Sequence, residues 1–389
     1  MNDLYLANGE VLIDGAFKRA NIAVKDGKII RIESGDYFAG TGPVVDAAGK
    51  RILPGFIDVH THGGAGVDVN NATIEDLEKL GFFFASQGTT GWLASILTDT
   101  EENTLRCIDR INTAVDKGTS GILGIHLEGP FLSSAYRGAM PEYLLRKADR
   151  QLFLKYFKAA RGRLKYLTVS PEVEGIPELI REIHGLGIIV AIGHSGADYE
   201  TAMDCIRNGA ASATHTFNAM KMPHQHYPGI CGAVLETDVF CEAICDGRHL
   251  HPGVVRLLLK TKGFDRVIPV TDSMMAAGMP DGRYRLGVNE IEVIGGDAKL
   301  LLDGTRAGST LTTGTAFKNI VAFTGKKIEE IIPLFTANPA ALLHIDHSKG
   351  SIASGKDADL ILLDRDLDVA ATIMGGRIKY KREESAVHN

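Results

Sequence analysis

Between residues 54 and 345, short apolar segments alternate eight times with amphipathic helical stretches. Apolar runs of this length predict buried strands, and strands that alternate with helices predict a parallel sheet in an α/β protein. The predicted strands occupy residues 56–60, 90–97, 121–128, 165–170, 188–194, 211–217, 239–246 and 266–272. Eight such units are what a (β/α)₈ TIM barrel requires, so the sequence predicts that fold.

The two ends of the chain have a different pattern. Residues 1–53 and 346–389 consist of short alternating segments separated by turn residues, which is typical of antiparallel strands. Neither end alone can bury a stable core, so we expect both to combine into one small β-sandwich beside the barrel. Within the barrel segment, residues 283–303 alternate around Gly295-Gly296 and predict an inserted hairpin.

Composition excludes several classes of protein. The 389 residues carry a net charge of −6, which gives no overall attraction to nucleic acid or to an anionic membrane. No apolar run approaches the ~20 residues of a membrane span, and residues 1–15 lack the pattern of a signal peptide. We therefore expect a cytoplasmic protein. The five cysteines form no C-x-x-C pair, which argues against a disulfide framework and a thiolate zinc site.

Polar residues cluster where the predicted strands end. The active sites of TIM barrels form at this C-terminal rim, so metal-competent residues are expected there if the protein is an enzyme. His60 and His62 end the first strand, and residues i and i+2 of a strand point to the same side. This spacing favours one shared metal ion, the alternative being a solvated or core pair of histidines.

Four further strands end in candidate ligands or acids. Glu128 closes a buried strand, where a carboxylate needs a cation or many hydrogen-bond donors; a salt-bridged rim carboxylate is the alternative. His194 and His215 follow neighbouring strands, which favours metal ligation over two isolated hydrogen-bonded histidines. Asp272 follows the eighth strand and is the natural general base, the alternative being a helix cap.

Together these motifs resemble the N-acetylglucosamine-6-phosphate deacetylases of the amidohydrolase superfamily. The resemblance spans nearly the whole chain and includes the tail GKDADLILL at 355–363. The motifs that carry it are PGFIDVHTHG at 54–63, HLEGPF at 126–131, GHS at 193–195, THTFNAM at 214–220, DGRH at 246–249, TDSM at 271–274 and AGSTL at 307–311.

The resemblance implies a metal-dependent hydrolase that removes acetate from an N-acetyl amino-sugar 6-phosphate. Glu128, His194 and His215 would hold one divalent ion, and His60 with His62, next to Asp272, a second. Zinc fits these ligands, although Fe²⁺, Co²⁺ and Mn²⁺ are alternatives, and one or two ions per chain are expected.

The same resemblance assigns catalytic and substrate roles. Asp272 would act as the proton acceptor and His249 as a donor to the oxyanion. The substrate contacts would come from Ala139, Met140, Asn218, Ala219, His226, His249, Ala307, Gly308 and Ser309. In this family the loop after Asn218-Ala219 reaches the neighbouring subunit's site, so we expect a homodimer with a shared loop.

Two departures weaken the expected preference for a 6-phosphate. His226 stands where relatives usually have a phosphate-binding arginine, and Met140 stands where many have a histidine. Other cations that could bind the phosphate instead are Arg137, Lys221, His224 and Arg248. The alternatives are a deacetylase of another N-acetyl sugar, such as N-acetylgalactosamine 6-phosphate or an unphosphorylated amino sugar, an N-acyl-amino-acid hydrolase, and a non-catalytic barrel.

Overall fold

The computed structural model describes residues 4–34, 42–118 and 121–383, and the chain begins there with five strands. They are β1 (Leu4–Ile13), β2 (Ala16–Lys25), β3 (Lys28–Ser34), β4 (Val44–Asp46) and β5 (Arg51–Pro54). The first three pair antiparallel, and β4 and β5 lie parallel to β1. The ends of the predicted terminal segments, residues 1–3 and 384–389, lie outside the described residues.

Eight parallel strands form the barrel. The strands from residue 56 onward are β6 (Phe56–Thr61), β7 (Gly63–Gly64), β8 (Val67–Asp68), β9 (Thr89–Leu97), β10 (Ile122–Glu128), β11 (Leu164–Val169), β12 (Ile189–Ile192), β13 (Ala210–Ala213), β14 (Phe240–Ala243) and β15 (Val267–Pro269). Apart from the short β7–β8 pair, they follow the order β6-β9-β10-β11-β12-β13-β14-β15. The predicted (β/α)₈ fold is confirmed.

Polar contacts join the first and last barrel strands. The amide of Asp272 donates a hydrogen bond to the carbonyl of His60 at 2.9 Å. The Thr271 hydroxyl donates to the buried Asp58 carboxylate at 2.6 Å. These bonds bring the ends of β6 and β15 together and thereby place three of the predicted site residues side by side.

Helices connect the barrel strands. They are α1 (Ile74–Ser86), α2 (Glu101–Lys117), α3 (Arg150–Ala159), α4 (Ile176–Gly185), α5 (Tyr199–Arg207), α6 (Gly229–Glu236), α7 (Pro252–Lys262), α8 (Thr313–Thr324), α9 (Ile328–Phe335) and α10 (Ala337–Leu342). Side-chain caps fix several starts, since Thr73, Thr100 and Asp198 accept from the third following amide. No described helix combines the length and apolar character that a membrane span requires.

The sequence pattern of residues 327–344 predicts a single helix, but the structure divides this segment into α9 and α10. Thr336 lies between them with φ −132° and ψ −72°, which are not helical values. Pro333 and Pro339 both lie inside this region, and each removes a backbone donor. The prediction of one continuous helix was therefore wrong.

The insertion after β15 has three strands rather than the predicted two-stranded hairpin. They are β16 (Gly282–Leu286), β17 (Asn289–Ile294) and β18 (Asp297–Leu300). The extra turn contains Gly287, whose φ of 58° suits a residue without a Cβ atom. Leu286, Ile291 and Val293 pack against Leu97 and Met274, so the insertion lies against the C-terminal rim of the barrel.

The chain ends by completing the sheet with which it began. β19 (Leu360–Leu363) pairs antiparallel with β5, and β20 (Val369–Met374) and β21 (Arg377–Lys381) follow it. The strands enclose an apolar core of their own, separate from that of the barrel. Both chain termini thus combine into one β unit.

Candidate metal centre

The structure brings all six predicted ligands to the C-terminal rim of the barrel, in two groups. His60 and His62 at the end of β6 meet Asp272, which follows β15. Glu128 at the end of β10 meets His194 and His215, which follow β12 and β13. Within each group the ligand atoms all lie within 4.8 Å of one another, and every residue is buried.

Glu128 joins the two groups. Its Oε1 atom lies 3.2 Å from Nε2 of both His194 and His215. Its Oε2 atom lies 3.1 Å from Nε2 of His62, and Asp272 Oδ1 lies 3.3 Å from the same nitrogen. The two groups are therefore halves of one centre.

The donor set fits divalent ions. Nε2 of His60 lies 3.1 Å from Nε2 of His62, and Nε2 of His194 lies 3.0 Å from Nε2 of His215. Two neutral imidazoles oriented in this way direct their Nε2 lone pairs at one another and repel. A cation between them removes this repulsion, because both lone pairs then coordinate the cation. Ligands about 2.1 Å from a tetrahedral zinc ion lie roughly 3.4 Å apart, close to these separations.

Electrostatics also favours a cation at this point. Burial alone lowers the pKa of His62, but hydrogen bonds to Asp272 and Glu128 raise it to about 9. Burial likewise lowers the pKa of His60, and the charges of Glu128 and Glu242 raise it well above its ordinary value. Buried carboxylates thus stabilise positive charge here, which divalent ions would supply while the imidazoles stay neutral.

The backbone departs from regular geometry at three of the ligands. His194, His215 and Asp272 have φ values of 46°, 30° and 45°. Residues other than glycine rarely adopt positive φ, and such strain concentrates at functional sites. At these positions the chain leaves the strand and directs the side chain into the centre.

Glu242 of β14 supports the centre and was missed in the sequence analysis. Its Oε2 accepts a hydrogen bond from Nδ1 of His60 at 2.9 Å and from the amide of His215 at 3.0 Å. Its Oε1 accepts from the hydroxyl of Tyr166 at 2.6 Å. The bond to His60 leaves the Nε2 lone pair of that ring facing the centre. The signal available in the sequence was a carboxylate inside the apolar run FCEAIC at 240–245.

Backbone carbonyls orient two other rings. Nδ1 of His62 lies 3.1 Å from the Ser95 carbonyl oxygen, and Nδ1 of His194 lies 3.0 Å from that of Tyr136. The corresponding nitrogen of His215 has no hydrogen-bond partner among the described residues. His249 is held by Asp246, whose Oδ2 lies 2.6 Å from Nδ1 of the ring. Burial raises the pKa of Asp246, but the hydrogen bonds from His249 outweigh it and the pKa lies below its ordinary value.

A cavity of about 360 Å³ opens onto the centre. This volume lies within the range of small-molecule sites, roughly 300–1,000 Å³. Seven of the predicted substrate residues line the cavity, namely Ala139, Met140, Asn218, Ala219, His249, Ala307 and Gly308. Gly308 comes so close to Asp272 that an added Cβ atom would lie 3.2 Å from the carbonyl oxygen of Asp272.

Two predicted substrate residues do not line this cavity. Ser309 is buried, and its hydroxyl donates to the carbonyl of Thr271 at 2.6 Å, so it fixes the loop. His226 lies on an exposed turn closed by backbone hydrogen bonds between His224 and Tyr227. Conversely, Tyr136, Thr305 and Arg306 line the cavity although the sequence analysis did not select them.

Comparison with known proteins identifies the family of this chain. Residues 51–379 match the model of the amidohydrolase family. The chain belongs to this family. An N-acetylglucosamine-6-phosphate deacetylase of Bacillus subtilis is 36% identical over 95% of this chain and 94% of its own. An N-acetylgalactosamine-6-phosphate deacetylase of Escherichia coli O157:H7 is 33% identical over 86% of this chain and 89% of its own.

Solved amidohydrolase structures agree with the fold. A mutant N-acetyl-D-glucosamine-6-phosphate deacetylase from Mycobacterium smegmatis, in complex with N-acetyl-D-glucosamine-6-phosphate, superposes with a TM-score of 0.92. It is 31% identical and covers 98% of this chain and 100% of its own. The family resemblance predicted from the motifs is therefore confirmed.

Proposed function

We propose that this protein is a metal-dependent hydrolase that removes acetate from N-acetylglucosamine 6-phosphate and releases glucosamine 6-phosphate. The observation that carries the proposal is the convergence at one cavity of two ligand groups, one of which contains Asp272. The deacetylase names of full-length relatives support the choice of substrate.

One or two divalent ions would occupy the centre. Glu128, His194 and His215 would hold one ion, and His60, His62 and Asp272 the other. Zinc is favoured by the histidine and carboxylate ligands, with Fe²⁺, Co²⁺ and Mn²⁺ as alternatives. When bound, such ions supply a Lewis acid and make hydroxide available near neutral pH.

Asp272 and His249 carry the proton chemistry. Asp272 accepts a proton from the attacking water and returns it to the departing amine nitrogen as the C–N bond breaks. His249 lines the same cavity, and its contact with Asp246 through Nδ1 orients the ring as a hydrogen-bond partner of the acetamide oxygen.

The cavity walls bind the sugar. Asn218 and the backbone of Ala219 contact the hexose, while Ala139 and Met140 form an apolar wall. The loop at Ala307 and Gly308 closes the side nearest Asp272, and Ser309 anchors that loop. His226 reaches a substrate only in the partner's cavity, because it does not line the cavity of its own chain.

A homodimer accounts for the exposed loop at 221–229. Met222 and Tyr227 of this loop are 57% and 68% exposed, although both are large and apolar or aromatic. Burial of these side chains against a second copy would stabilise an isologous contact. Light scattering on the purified protein checks this assembly, and a monomer at working concentration contradicts it.

We also propose a cytoplasmic location, where phosphorylated sugars are retained.

Acetate release from a panel of N-acetyl hexosamines tests the proposed function. The panel contains N-acetylglucosamine and N-acetylgalactosamine, each with and without a 6-phosphate, and metal content is measured on the same sample. N-acetylgalactosamine 6-phosphate is the second candidate because the Escherichia coli O157:H7 relative carries that name. We expect the highest kcat/KM for N-acetylglucosamine 6-phosphate, and loss of turnover on chelation that added metal restores. Full turnover by metal-free protein contradicts the proposal.

A further inference from the structure

A phosphorylated substrate requires a cationic partner, and the cavity contains one permanent cation. Arg306 is the only lysine or arginine among the residues that line the cavity in the described part of the chain. It lies two residues before Gly308, which approaches Asp272. A phosphate in this cavity thus meets one side chain that keeps its charge at every relevant pH.

Short-range contacts hold Arg306 in place. The amide of Ala307 donates to the carbonyl of Ala298 at 3.1 Å, and the amide of Leu300 donates to that of Thr305 at 2.8 Å. Arg306 therefore lies on the return arm of a tight antiparallel turn that extends β18. Its backbone position is fixed by the inserted sheet rather than by a free loop.

The guanidinium group is oriented but not fully engaged. Its Nε and Nη2 donate to the two Asp297 oxygens at 2.8 and 3.1 Å, and Nη1 donates to the carbonyl of Arg248 at 3.2 Å. An arginine has five N–H donors, so two remain for a ligand. The contact with Arg248 also ties Arg306 to the loop that carries His249.

Arg306, Lys299 and Asp297 form a group with net positive charge, because Lys299 contacts the same Asp297 carboxylate at 3.0 Å and two cations share that anion. Asp246, the other carboxylate that acts on Arg306, also contacts the His249 ring at 2.6 Å. An incoming phosphate therefore meets a net positive group whose geometry is already set. This pre-organisation reduces the entropy lost on binding.

The cations considered in the sequence analysis are less suitably placed than Arg306 to bind a phosphate in the cavity. Arg137, Lys221, His224, His226 and Arg248 do not line the cavity. The Arg248 guanidinium is directed to the inserted sheet, where it donates to the carbonyl of Gly295 at 2.5 Å. Arg137 lies near Glu142, at 3.8 Å.

We propose that Arg306 binds the phosphate of the substrate and sets the preference for phosphorylated over unphosphorylated N-acetyl sugars. The inference rests on the proposed function and extends it, since it assigns the phosphate contact to a residue of the chain's own cavity. An Arg306–phosphate pair replaces the contact that an arginine at position 226 would make.

The test compares metal-loaded wild type with Arg306→Gln, which keeps length and polarity but removes the charge. We expect KM for N-acetylglucosamine 6-phosphate to rise about 10- to 100-fold, the effect of a lost charge-assisted contact. The change for N-acetylglucosamine should be at least tenfold smaller. Arg306→Lys keeps the charge without the planar fork and should give an intermediate KM. Arg283→Gln, which removes an exposed charge from β16 of the same inserted sheet, is the matched control.

Binding of glucosamine 6-phosphate and of glucosamine, measured by calorimetry, gives a second readout that does not depend on turnover. The proposal predicts that Arg306→Gln weakens only the phosphorylated ligand. It is overturned if the variant keeps the wild-type KM and affinity, or if both ligands weaken equally, which indicates a structural role. Failure of the proposed function is separate, because it appears in wild type as no acetate release from N-acetylglucosamine 6-phosphate.

Discussion

Buried charge is neutralised in different ways in the barrel rim and in the terminal sheet. At the rim, the carboxylates of Glu128 and Asp272 contact histidine rings. Beside β19 of the terminal sheet, the ammonium group of Lys349 contacts Asp357 at 2.9 Å and also contacts Asp359. The sheet therefore contains its own countercharge, whereas at the rim the proposed metal ions would supply it.

This difference indicates that the charged residues of the rim serve function and those of the terminal sheet serve stability. Unpaired charge at the rim is costly to bury unless an ion binds, so those residues are explained by chemistry and not by folding. The ion pairs of the terminal sheet touch no part of the cavity and hold two ends of the chain together. Variants at the rim should change turnover and metal binding, and variants in the sheet should change stability.

The largest effect is expected for Asp272→Asn. The amide keeps the size of the side chain but cannot accept the proton, so kcat should fall at least ~10²-fold while the ion held by Glu128, His194 and His215 remains bound. Steady-state kinetics and elemental analysis on the same preparation measure both. Asp109→Asn, on the exposed face of α2, is the control. Near-native kcat in Asp272→Asn would remove this residue from the mechanism.

Replacing Glu242 by Gln should weaken metal binding in the group that contains His60. The amide no longer fixes the tautomer of His60, and loss of such a supporting carboxylate typically costs about 10- to 100-fold in metal affinity. Titration in metal buffers should show a larger loss of affinity in the group that contains His60 than in the other group, where Glu242 contacts only the backbone amide of His215. Tyr166→Phe, which removes one donor to Glu242, should have a smaller effect in the same direction. Equal weakening of both affinities would contradict a role that acts mainly through the His60 ring.

In the terminal sheet, Lys349→Met should destabilise the fold without changing kcat. The substitution leaves Asp357 and Asp359 without their shared cation, and breaking a largely buried pair costs about 3 kcal/mol. Urea unfolding measures the change. Lys318→Met, at an exposed pair with Asp368, is the matched control and should cost less than about 1 kcal/mol. Equal losses in the two variants would show that burial of Lys349 adds nothing.

The sequence predicted the barrel and its ligands because both follow from local rules. Apolar runs locate the eight strands, and parallel strands place their ends at one rim, so His60, Glu128 and His215 had to converge. Glu242 and Arg306 were missed for physical reasons. The contacts of Glu242 depend on the register between β14 and its neighbours, which periodicity does not set. Arg306 lines the cavity because the inserted sheet of β16, β17 and β18 folds back over the rim. The position of this sheet depends on packing between distant parts of the chain, which the turn residues in the sequence do not reveal.

The smallest effect concerns the pH dependence of the terminal sheet. Burial raises the pKa of Asp357, but hydrogen bonds from Lys28 and Lys349 outweigh it, so the pKa lies below the ordinary 3.8. A lowered carboxyl pKa contributes stability above pH 3.8 that is lost as the pH falls through the lowered value. Lys28 is 47% exposed, so Lys28→Gln should reduce the free energy of unfolding by less than about 1 kcal/mol near neutrality.

That difference between wild type and Lys28→Gln should shrink as Asp357 becomes protonated, and nearly vanish once the pH lies below the lowered pKa of Asp357. Added salt should reduce it at neutral pH, because the pair is accessible to screening. Lys18→Gln, which removes an exposed charge from β2 of the same sheet, should show no such pH dependence. A Lys28→Gln difference that persists after Asp357 is protonated would mean that Lys28 stabilises the sheet through packing of its side chain and not through the charge of Asp357.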